Sequence, residues 1–430
     1  MEEKSKLKLK GYKKKEKIIS ELINITKRTK TQKFQAKQFH NKEKLINKRK
    51  IINNQIKPIN EKEKTKKARN PGIDLVRLIA MYGIVINHIL YLNGGERKYY
   101  KYRKYLKILH ITTSWHNNAF ALISGIIGYK SNKISNLIYL WLDVFFYSVG
   151  IYLYFTKIRN SPVKHDISVE YFPIIYERYW YFTAYFGMYL LLPVMNKGIE
   201  YLTKYEFTLV IISTIGLFAV WRDYKNPKND VFLLNVGVSL LWMLTFYLTG
   251  AYIGKYRVDY SGIKKYIFYF ICIFIYVFSN YLFFKLYNNE LYLGKGHYQK
   301  ALISLLKQMI TERYDSILKI IQSITVCLFF MQINYNKYIA KIITFFGPLA
   351  FGIYLIHNNS IVKNKIMNHI FDKEPNNISL NSAMILVSLK SLKTLVICLI
   401  IDYFRNLLFT LLRIRKICVF IESKINKIFL

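Results

Sequence analysis

Residues 73–92, IDLVRLIAMYGIVINHILYL, form a run that is long and apolar enough to cross a membrane, yet it contains three ionisable side chains. About 20 mainly apolar residues span the hydrocarbon core of a bilayer as a helix. Asp74, Arg77 and His88 all lie within this run. Ionisable groups at membrane depth are energetically expensive, so they mark a functional site by default. We therefore expect a polar site inside an apolar helical fold.

Arg77 and His88 are predicted to share one face of this helix. They are eleven residues apart, which corresponds to about three turns, a rotational offset of about 20° and a rise of about 16 Å. Asp74 precedes Arg77 by three residues, so its carboxylate can hold the guanidinium, and Met81 and Ile84 continue the same stripe. Two structural alternatives stay open. The charge pair could snorkel to water at an interface, and His88 could form a helix-packing hydrogen bond.

The other apolar runs predict an all-α protein, a polytopic transmembrane helical bundle of about ten helices. Nine further candidate spans follow the first, near 113–130, 134–156, 179–196, 206–221, 231–254, 265–285, 317–334, 340–362 and 382–410. The long connection at 286–316 is predicted to fold as an amphipathic interfacial helix.

Basic residues are concentrated before the first span. Residues 1–69 contain 24 basic and 7 acidic residues, whereas apolar runs dominate from Ile73 onward. This composition predicts a disordered, lysine-rich tail that binds anionic lipid headgroups through charge. Nucleic-acid binding is not favoured, because no aromatic interleaving or recognisable module accompanies the lysines. We expect a tail at 1–69, a membrane domain at 70–410 and a short basic C-terminal segment at 411–430.

The distribution of positive charge also predicts the location. Lysine-rich segments favour the cytoplasmic side, and an even number of spans returns the basic C-terminal segment to that side. A cleavable secretory signal is not expected, because the first long apolar stretch begins only after residue 70. We therefore predict a multi-pass integral membrane protein of the plasma membrane with a cytoplasmic N-terminus. No metal site or disulfide framework is expected, since four isolated cysteines stand in apolar stretches: Cys272, Cys327, Cys398 and Cys418.

Six segments, taken in order, resemble the signature of the integral-membrane acyltransferase-3 family. The first is DLVRLIAMYGIVINH, in which ten residues separate Arg77 from His88. The other five are WHNNAFALISGIIGYK at 115–130, YWYFTAYFGMYLLLPVMN at 179–196, GVSLLWMLTFYLTGAYIGKY at 237–256, FFGPLAFGIYLIHNN at 345–359 and IDYFRNLLF at 401–409. The resemblance covers about residues 70–410 and leaves the tail uncovered. A paired-arginine motif of some family members is not evident in the early spans, so donor-site inferences based on it are not carried over.

The resemblance implies a membrane-bound O-acyltransferase. Members of this family move acyl groups, mostly acetyl, to hydroxyls of polysaccharides and other extracytoplasmic sugars. We therefore expect acetyl-CoA as the acyl donor and a cell-surface or exported sugar as the acceptor. Neither the identity of the acceptor nor the oligomeric state follows from the sequence.

Acyl transfer to an alcohol requires a base, stabilisation of the oxyanion and a cationic grip on the coenzyme phosphates. His88 is the candidate base, or alternatively an acyl carrier that is itself acetylated. Arg77 can bind a phosphate or orient Asp74, since its planar guanidinium donates two parallel hydrogen bonds. His357 ends the run FGIYLIH and is the second catalytic candidate, with an interfacial histidine that caps a helix end as the structural alternative. Asn358 and Asn359 beside it could contact the oxyanion or a sugar hydroxyl.

Three further residues are candidates for substrate binding. Trp180 and Tyr185 stand at the mouth of the fourth predicted span, where they could stack on a sugar or form an interfacial aromatic belt. Ser124 could contact substrate, but the dipeptide that it forms with Gly125 is also typical of close helix packing.

Two other classes of function compete with the enzyme. A proton- or ion-coupled transporter also places Arg, Asp and His inside the membrane, but it usually needs ionisable residues at mid-depth on several helices. A non-catalytic scaffold with the same fold would tolerate substitution of His88.

Overall fold

The computed structural model describes residues 69–221, 230–287 and 313–429. These residues form helices joined by short connections, with no β-strand among them, which confirms the predicted all-α class for this part of the chain. The described helices belong to one unit, Asn70–Leu430. The predicted tail, apart from Arg69, and most of the predicted interfacial helix at 286–316 lie outside the described residues.

The helices are numbered here in chain order. They are α1 Pro71–Asn87, α2 Gly95–Lys98, α3 Arg103–Thr113, α4 His116–Gly128, α5 Ile134–Leu153, α6 Ser168–Tyr171, α7 Trp180–Tyr201, α8 Lys204–Ile215, α9 Leu240–Tyr256, α10 Gly262–Tyr287, α11 Ile317–Met331, α12 Lys337–Phe346, α13 Ala350–His357, α14 Ser360–Lys365, α15 Leu380–Leu411 and α16 Ile414–Phe429. Three of them continue into π-helical segments, which are His88–Leu92 after α1, Tyr154–Ile158 after α5 and Gly216–Trp221 after α8.

Five helical stretches in the described part are long and apolar enough to cross a membrane. They are Pro71–Leu92, Ile134–Ile158, Gly262–Leu286, Lys337–His357 and Leu380–Leu411. The predicted count of ten spans is thus supported for five of them. Some of the other predicted spans form shorter helices, such as α4 with 13 residues and α11 with 15, whereas α7 has 22 residues but is not among the five. These apolar helices identify a membrane protein.

The first helix lies at the centre of the bundle and packs against α3, α4, α11, α12, α13 and α15. Its start follows from local sequence, because the side chain of Asn70 accepts a hydrogen bond from the Gly72 amide at 2.8 Å and Pro71 occupies the first turn. Apolar residues such as Val76 and Val85 are completely buried. The functional groups of α1 are therefore held by a rigid element surrounded on most sides.

Helices α4 and α9 pack backbone to backbone. A Cβ atom added to Gly125 would lie 2.0 Å from the carbonyl oxygen of Tyr247, and one added to Gly250 would lie 2.0 Å from that of Leu122. Only glycine permits this separation, so the small residues act as the packing contact that the sequence suggested. The contact fixes α4, which presents several side chains to the site described below.

A buried ion cluster joins α15 to α5. Arg405 donates to both carboxylate oxygens of Asp402, each at 2.8 Å, and to Oδ1 of Asp143 on α5 at 2.9 Å. The hydroxyl of Tyr147 donates to Asp402 at 2.7 Å. Arg405 is 5% exposed and Asp402 is fully buried. These charged groups therefore interact with each other instead of with water.

Candidate active site

Two predicted residues meet at the centre of the site, although 269 positions separate them in the chain. Nδ1 of His88 lies 3.0 Å from Nε2 of His357, a hydrogen-bond distance. His88 begins the π-helical segment that follows α1, and His357 is the last residue of α13. π-Helical turns inside α-helices are frequent at functional sites. The candidate base thus has an oriented imidazole partner.

The hydrogen bonds determine which nitrogen of each neutral ring carries the proton. Nδ1 of His357 lies 2.6 Å from the carbonyl oxygen of Ile353, which can only accept, so this nitrogen is the donor. Nε2 of a neutral His357 is then an acceptor, and it receives the proton of His88 Nδ1. Consequently Nε2 of His88 carries a free lone pair. This is the protonation state that a general base requires.

His88 opens onto a small cavity of about 50 Å³, called here the His88 cavity. Met81 and Ile84, the residues that continue the predicted stripe, are part of its wall. Its remaining lining residues are Asn117, Phe120, Trp180, Tyr181, Tyr314, Phe351 and Tyr354. The buried hydroxyl of Tyr181 forms no hydrogen bond within the described part of the chain. Buried polar groups without partners are rare, so this donor is available to a bound molecule.

Arg77 and Asp74 form the predicted ion pair, with Nη1 of Arg77 2.7 Å from Oδ1 of Asp74. The carboxylate is almost completely buried, whereas the arginine side chain is 22% exposed. Asp74 packs directly over Gly347, where an added Cβ would lie 2.5 Å from that of the aspartate. The pair is therefore held in the interior, which disfavours the alternative of two side chains that snorkel freely to water.

Arg77 lines a second and larger cavity of about 480 Å³, called here the Arg77 cavity. Ser124 and Tyr185, two of the predicted substrate-binding residues, are also part of its wall. Arg415 of α16 supplies a second cation, which donates to Asn136 at 2.7 Å and stacks over Tyr139. A cavity with two guanidinium groups suits an anionic ligand, in particular a phosphate.

The two cavities share three lining residues, Phe120, Tyr181 and Phe351, called here the aromatic wall. These side chains come from α4, α7 and α13. A molecule bound beside Arg77 would reach His88 by passing this wall. The arrangement combines a cationic cavity and a basic imidazole on the two sides of three aromatic rings.

The remaining predicted residues are distributed unevenly. Trp180 faces the His88 cavity, whereas Ser124 donates its hydroxyl hydrogen to the Phe120 carbonyl in its own helix at 2.9 Å. Asn358 lines neither cavity. Its neighbour Asn359 is buried instead, where its amide donates to the Tyr179 hydroxyl at 2.8 Å. That tyrosine in turn donates to the carbonyl of Leu355 in α13, which anchors the end of the helix that presents His357.

A network of hydrogen-bonded polar side chains, which was not predicted, adjoins the His88 cavity. The amide of Asn87 donates to Nε2 of His116 at 2.7 Å, and Nδ1 of His116 donates to Oδ1 of Asn117 at 2.8 Å. His110 donates to Oδ1 of Asn87 at 2.9 Å. Because Asn117 lines the His88 cavity, this network fixes one wall of it. In the sequence, only the segment WHNN at 115–118 indicated this network, because it places polar residues within an apolar run.

Helix α13 is positioned by two close glycine contacts. Gly347, just before it, lies under Asp74 of α1, and an added Cβ at Gly352 would lie 2.0 Å from Oδ1 of Asp402 of α15. Within the described residues, no group of three or more His, Cys, Asp or Glu side chains could hold a metal ion.

Comparison with known proteins gives one family. The family model described as an acyltransferase domain, acyltransferase-3, matches residues 70–403. Neither the curated proteins nor the solved structures include a significant match. The matched region begins just before α1 and contains Asp74, Arg77, His88 and His357. The chain belongs to the acyltransferase-3 family of membrane acyltransferases.

Proposed function

We propose that this protein transfers an acetyl group from acetyl-CoA to a hydroxyl of a cell-surface or exported sugar. The observation that carries the proposal is the His88–His357 pair, in which His88 keeps an acceptor nitrogen and lines a cavity that shares three residues with the Arg77 cavity. The transporter alternative is not favoured, because the family match is to acyltransferases. We further propose a location in the plasma membrane with a cytoplasmic N-terminus.

The Arg77 cavity is the proposed site of the acyl donor. Its volume of about 480 Å³ lies within the usual range for small-molecule sites. Arg77 and Arg415 would hold phosphate oxygens of the coenzyme, since guanidinium groups bind phosphate with two parallel hydrogen bonds. The thioester arm would extend between Phe120, Tyr181 and Phe351, so that its carbonyl carbon enters the His88 cavity.

The proposed reaction needs one base and one leaving group. Nε2 of His88 takes the proton of the acceptor hydroxyl while the oxygen attacks the thioester carbonyl carbon. The carbon–sulfur bond then breaks, and the coenzyme leaves as a thiolate that takes the proton back from His88. The products are the O-acetyl ester and free CoA, so that atoms and charge balance.

The surroundings of His88 favour this sequence of steps. When Nε2 is protonated, the positive charge lies near the C-terminal end of α13, where the helix dipole favours a cation. His357 keeps the ring oriented through its own bond to the Ile353 carbonyl. The free hydroxyl of Tyr181 would donate to the oxygen that becomes negative in the transition state. Trp180 offers a ring face on which a sugar acceptor can stack.

The test is a kinetic comparison on purified full-length protein with labelled acetyl-CoA, in which CoA release and ester formation on a panel of sugars are measured. His88→Ala should lower kcat about 100- to 10,000-fold, the usual contribution of a general base. Arg77→Lys should instead raise KM for acetyl-CoA about tenfold or more, as expected when charge-assisted hydrogen bonds of about 1.5–3 kcal/mol are lost. His369→Ala is the matched control, because that imidazole is 61% exposed and lines neither cavity.

Wild-type rates from folded His88→Ala protein would exclude the catalytic assignment. Acid quenching during turnover separates the two routes through His88. Labelled acetyl that stays on the imidazole would make His88 an acyl carrier rather than a base. Hydrolysis of acetyl-CoA without any sugar product would support acetyl-CoA as the donor and exclude the tested sugars as acceptors.

A further inference from the structure

An apolar groove of about 720 Å³ runs between α5 and α15. Three of its apolar lining residues, Tyr154, Ile397 and Ile401, are each more than 40% exposed. In a membrane protein such side chains face lipid, so the groove opens sideways to the bilayer. The buried His357 is part of its inner wall. His88 does not line the groove, so the groove and the His88 cavity meet the histidine pair from different sides.

Gly150 gives the groove part of its depth. It lies on α5, and an added Cβ would meet no atom within 4 Å. Glycine inside a helix costs about 0.5–1 kcal/mol relative to alanine. Since no neighbouring backbone needs the space, the packing of described residues does not account for this glycine. A groove over bare backbone accommodates the chain of a bound molecule.

Two lysines interrupt the apolar lining. Lys390 forms an ion pair with Glu374, whereas Lys393 is exposed and forms no ion pair with any described residue. Lys393 stands among exposed apolar residues of α15, such as Leu392 and Val396. A lysine on a lipid-facing surface is costly unless its ammonium group reaches the interface or meets an anion.

The depth of Lys393 fits an interfacial anion. Helix α15 has 32 residues and is therefore about 48 Å long, compared with about 30 Å for the hydrocarbon layer. Lys393 lies about 20 Å from the start of this helix. Its Cα atom is thus inside the hydrocarbon layer, while its ammonium group can extend toward the nearer headgroups.

We propose that this groove binds one membrane phospholipid with a net negative headgroup. An acyl chain lies over Gly150 between α5 and α15, and the phosphate contacts Lys393 beside Lys390. The lipid is a resident ligand rather than an acceptor, because His88 lines the other cavity and not this groove. Its chain covers the outer side of His357 and keeps water away from the histidine pair. Lipid binding in this groove does not require the proposed acetyl transfer, so each can be tested without the other.

Lipid counting on the delipidated full-length protein tests the proposal. The protein is titrated with phosphatidylglycerol or with phosphatidylcholine of the same acyl chains, and bound lipids are counted by native mass spectrometry. We expect one tightly bound phosphatidylglycerol. Lys393→Gln should weaken it about fivefold, the equivalent of about 1 kcal/mol for one basic residue near a membrane surface. Lys264→Gln is the control, since Lys264 is an exposed lysine at a helix start outside the groove.

Gly150→Leu tests the chain part of the site. It should abolish binding of the tight lipid by filling the groove, since an added Cβ at this position meets no atom within 4 Å. Gly198→Leu is the matched control, because Gly198 is also an exposed helical glycine with open space above it but lies outside the groove. The proposal is overturned if both lipids bind wild type equally, or if Gly150→Leu protein retains the phosphatidylglycerol. If basic segments of the chain, and not the groove, hold the anionic lipid, Gly150→Leu will leave phosphatidylglycerol binding unchanged.

Discussion

At the scale of single residues, the site depends on where hydrogen atoms point. The carbonyl of Ile353 orients His357, and His357 orients His88, so one backbone acceptor determines the reactive nitrogen. Tyr181 shows the opposite situation, because its buried hydroxyl has no described partner. The nitrogens that join the two imidazole rings already form hydrogen bonds within the fold. The Tyr181 hydroxyl forms none with described residues and is available to a substrate.

We therefore expect Tyr181→Phe to reduce catalysis without weakening the fold. Removal of a hydroxyl that bonds to no described residue leaves no buried partner unsatisfied. Loss of one donor to the transition-state oxyanion typically lowers kcat about 100- to 1,000-fold. The measurement is kcat together with the melting temperature of the purified variant.

Tyr276→Phe is the contrasting control, because the Tyr276 hydroxyl donates to the Thr112 carbonyl at 2.5 Å and lines neither cavity. It should lower the melting temperature and leave kcat near the wild-type value. If Tyr181→Phe behaves in the same way, its hydroxyl has a structural role and not a catalytic one.

At the scale of helices, buried charge determines how α15 is attached. Arg405 neutralises Asp402 and Asp143 together, and one of these carboxylates lies on a different helix. A buried ion cluster contributes little compared with apolar packing, but removal of one partner leaves the others uncompensated. The attachment of α15 to α5 is therefore sensitive to any single change in the cluster.

Arg405→Ala should destabilise the protein by about 3–5 kcal/mol, because two buried carboxylates would lose their cation. Thermal unfolding in detergent measures this loss as a lower melting temperature. Lys416→Ala is the control, since Lys416 is exposed on α16. An unchanged melting temperature for Arg405→Ala would show that water or another cation compensates the carboxylates.

Local sequence predicts contacts within one helix and not contacts between helices. The Asp74–Arg77 pair followed from a spacing of three residues, and the stripe through Met81 and Ile84 followed from helical periodicity. The contact between His88 and His357 depends on tertiary packing across 269 residues, so no spacing could give it. Tyr181 stands with Trp180 and Tyr185 at the mouth of the fourth predicted span, where sugar stacking was the predicted role, and no sequence pattern pointed to its hydroxyl. Arg415 was equally hidden, because it lies beyond the family resemblance.

At the scale of the whole molecule, the described fold and the family match nearly coincide. The match covers 70–403, and the unit that contains both cavities is Asn70–Leu430. The span count shows the limit of hydropathy, since apolar runs interrupted by polar residues, such as Asn117 and Asn118, form short helices instead of full spans. Those interruptions carry the polar groups of the site.

Deletion of residues 1–60 should leave the specific activity in detergent nearly unchanged, because the family match begins only at residue 70. The excised segment should bind anionic vesicles, and this binding should fall as salt rises, since charge alone drives it. Activity assays on the truncated protein and vesicle sedimentation of the segment measure the two effects. Loss of activity in a correctly inserted truncation would assign donor-binding or regulatory contacts to the tail.

The two glycine contacts around α13 imply a constraint on how this protein can vary. Gly347 and Gly352 leave no room beside Asp74 and Asp402, so any larger side chain requires a compensating change on a second helix. Contacts with Asp74 of α1 and Asp402 of α15 thereby fix the position of α13 along its axis in the bundle. A slide of one helical turn would move His357 by about 5.4 Å, well beyond hydrogen-bond reach of His88. The alignment of the histidine pair thus depends on Gly347, Gly352, Asp74 and Asp402. None of these four residues lines the His88 cavity.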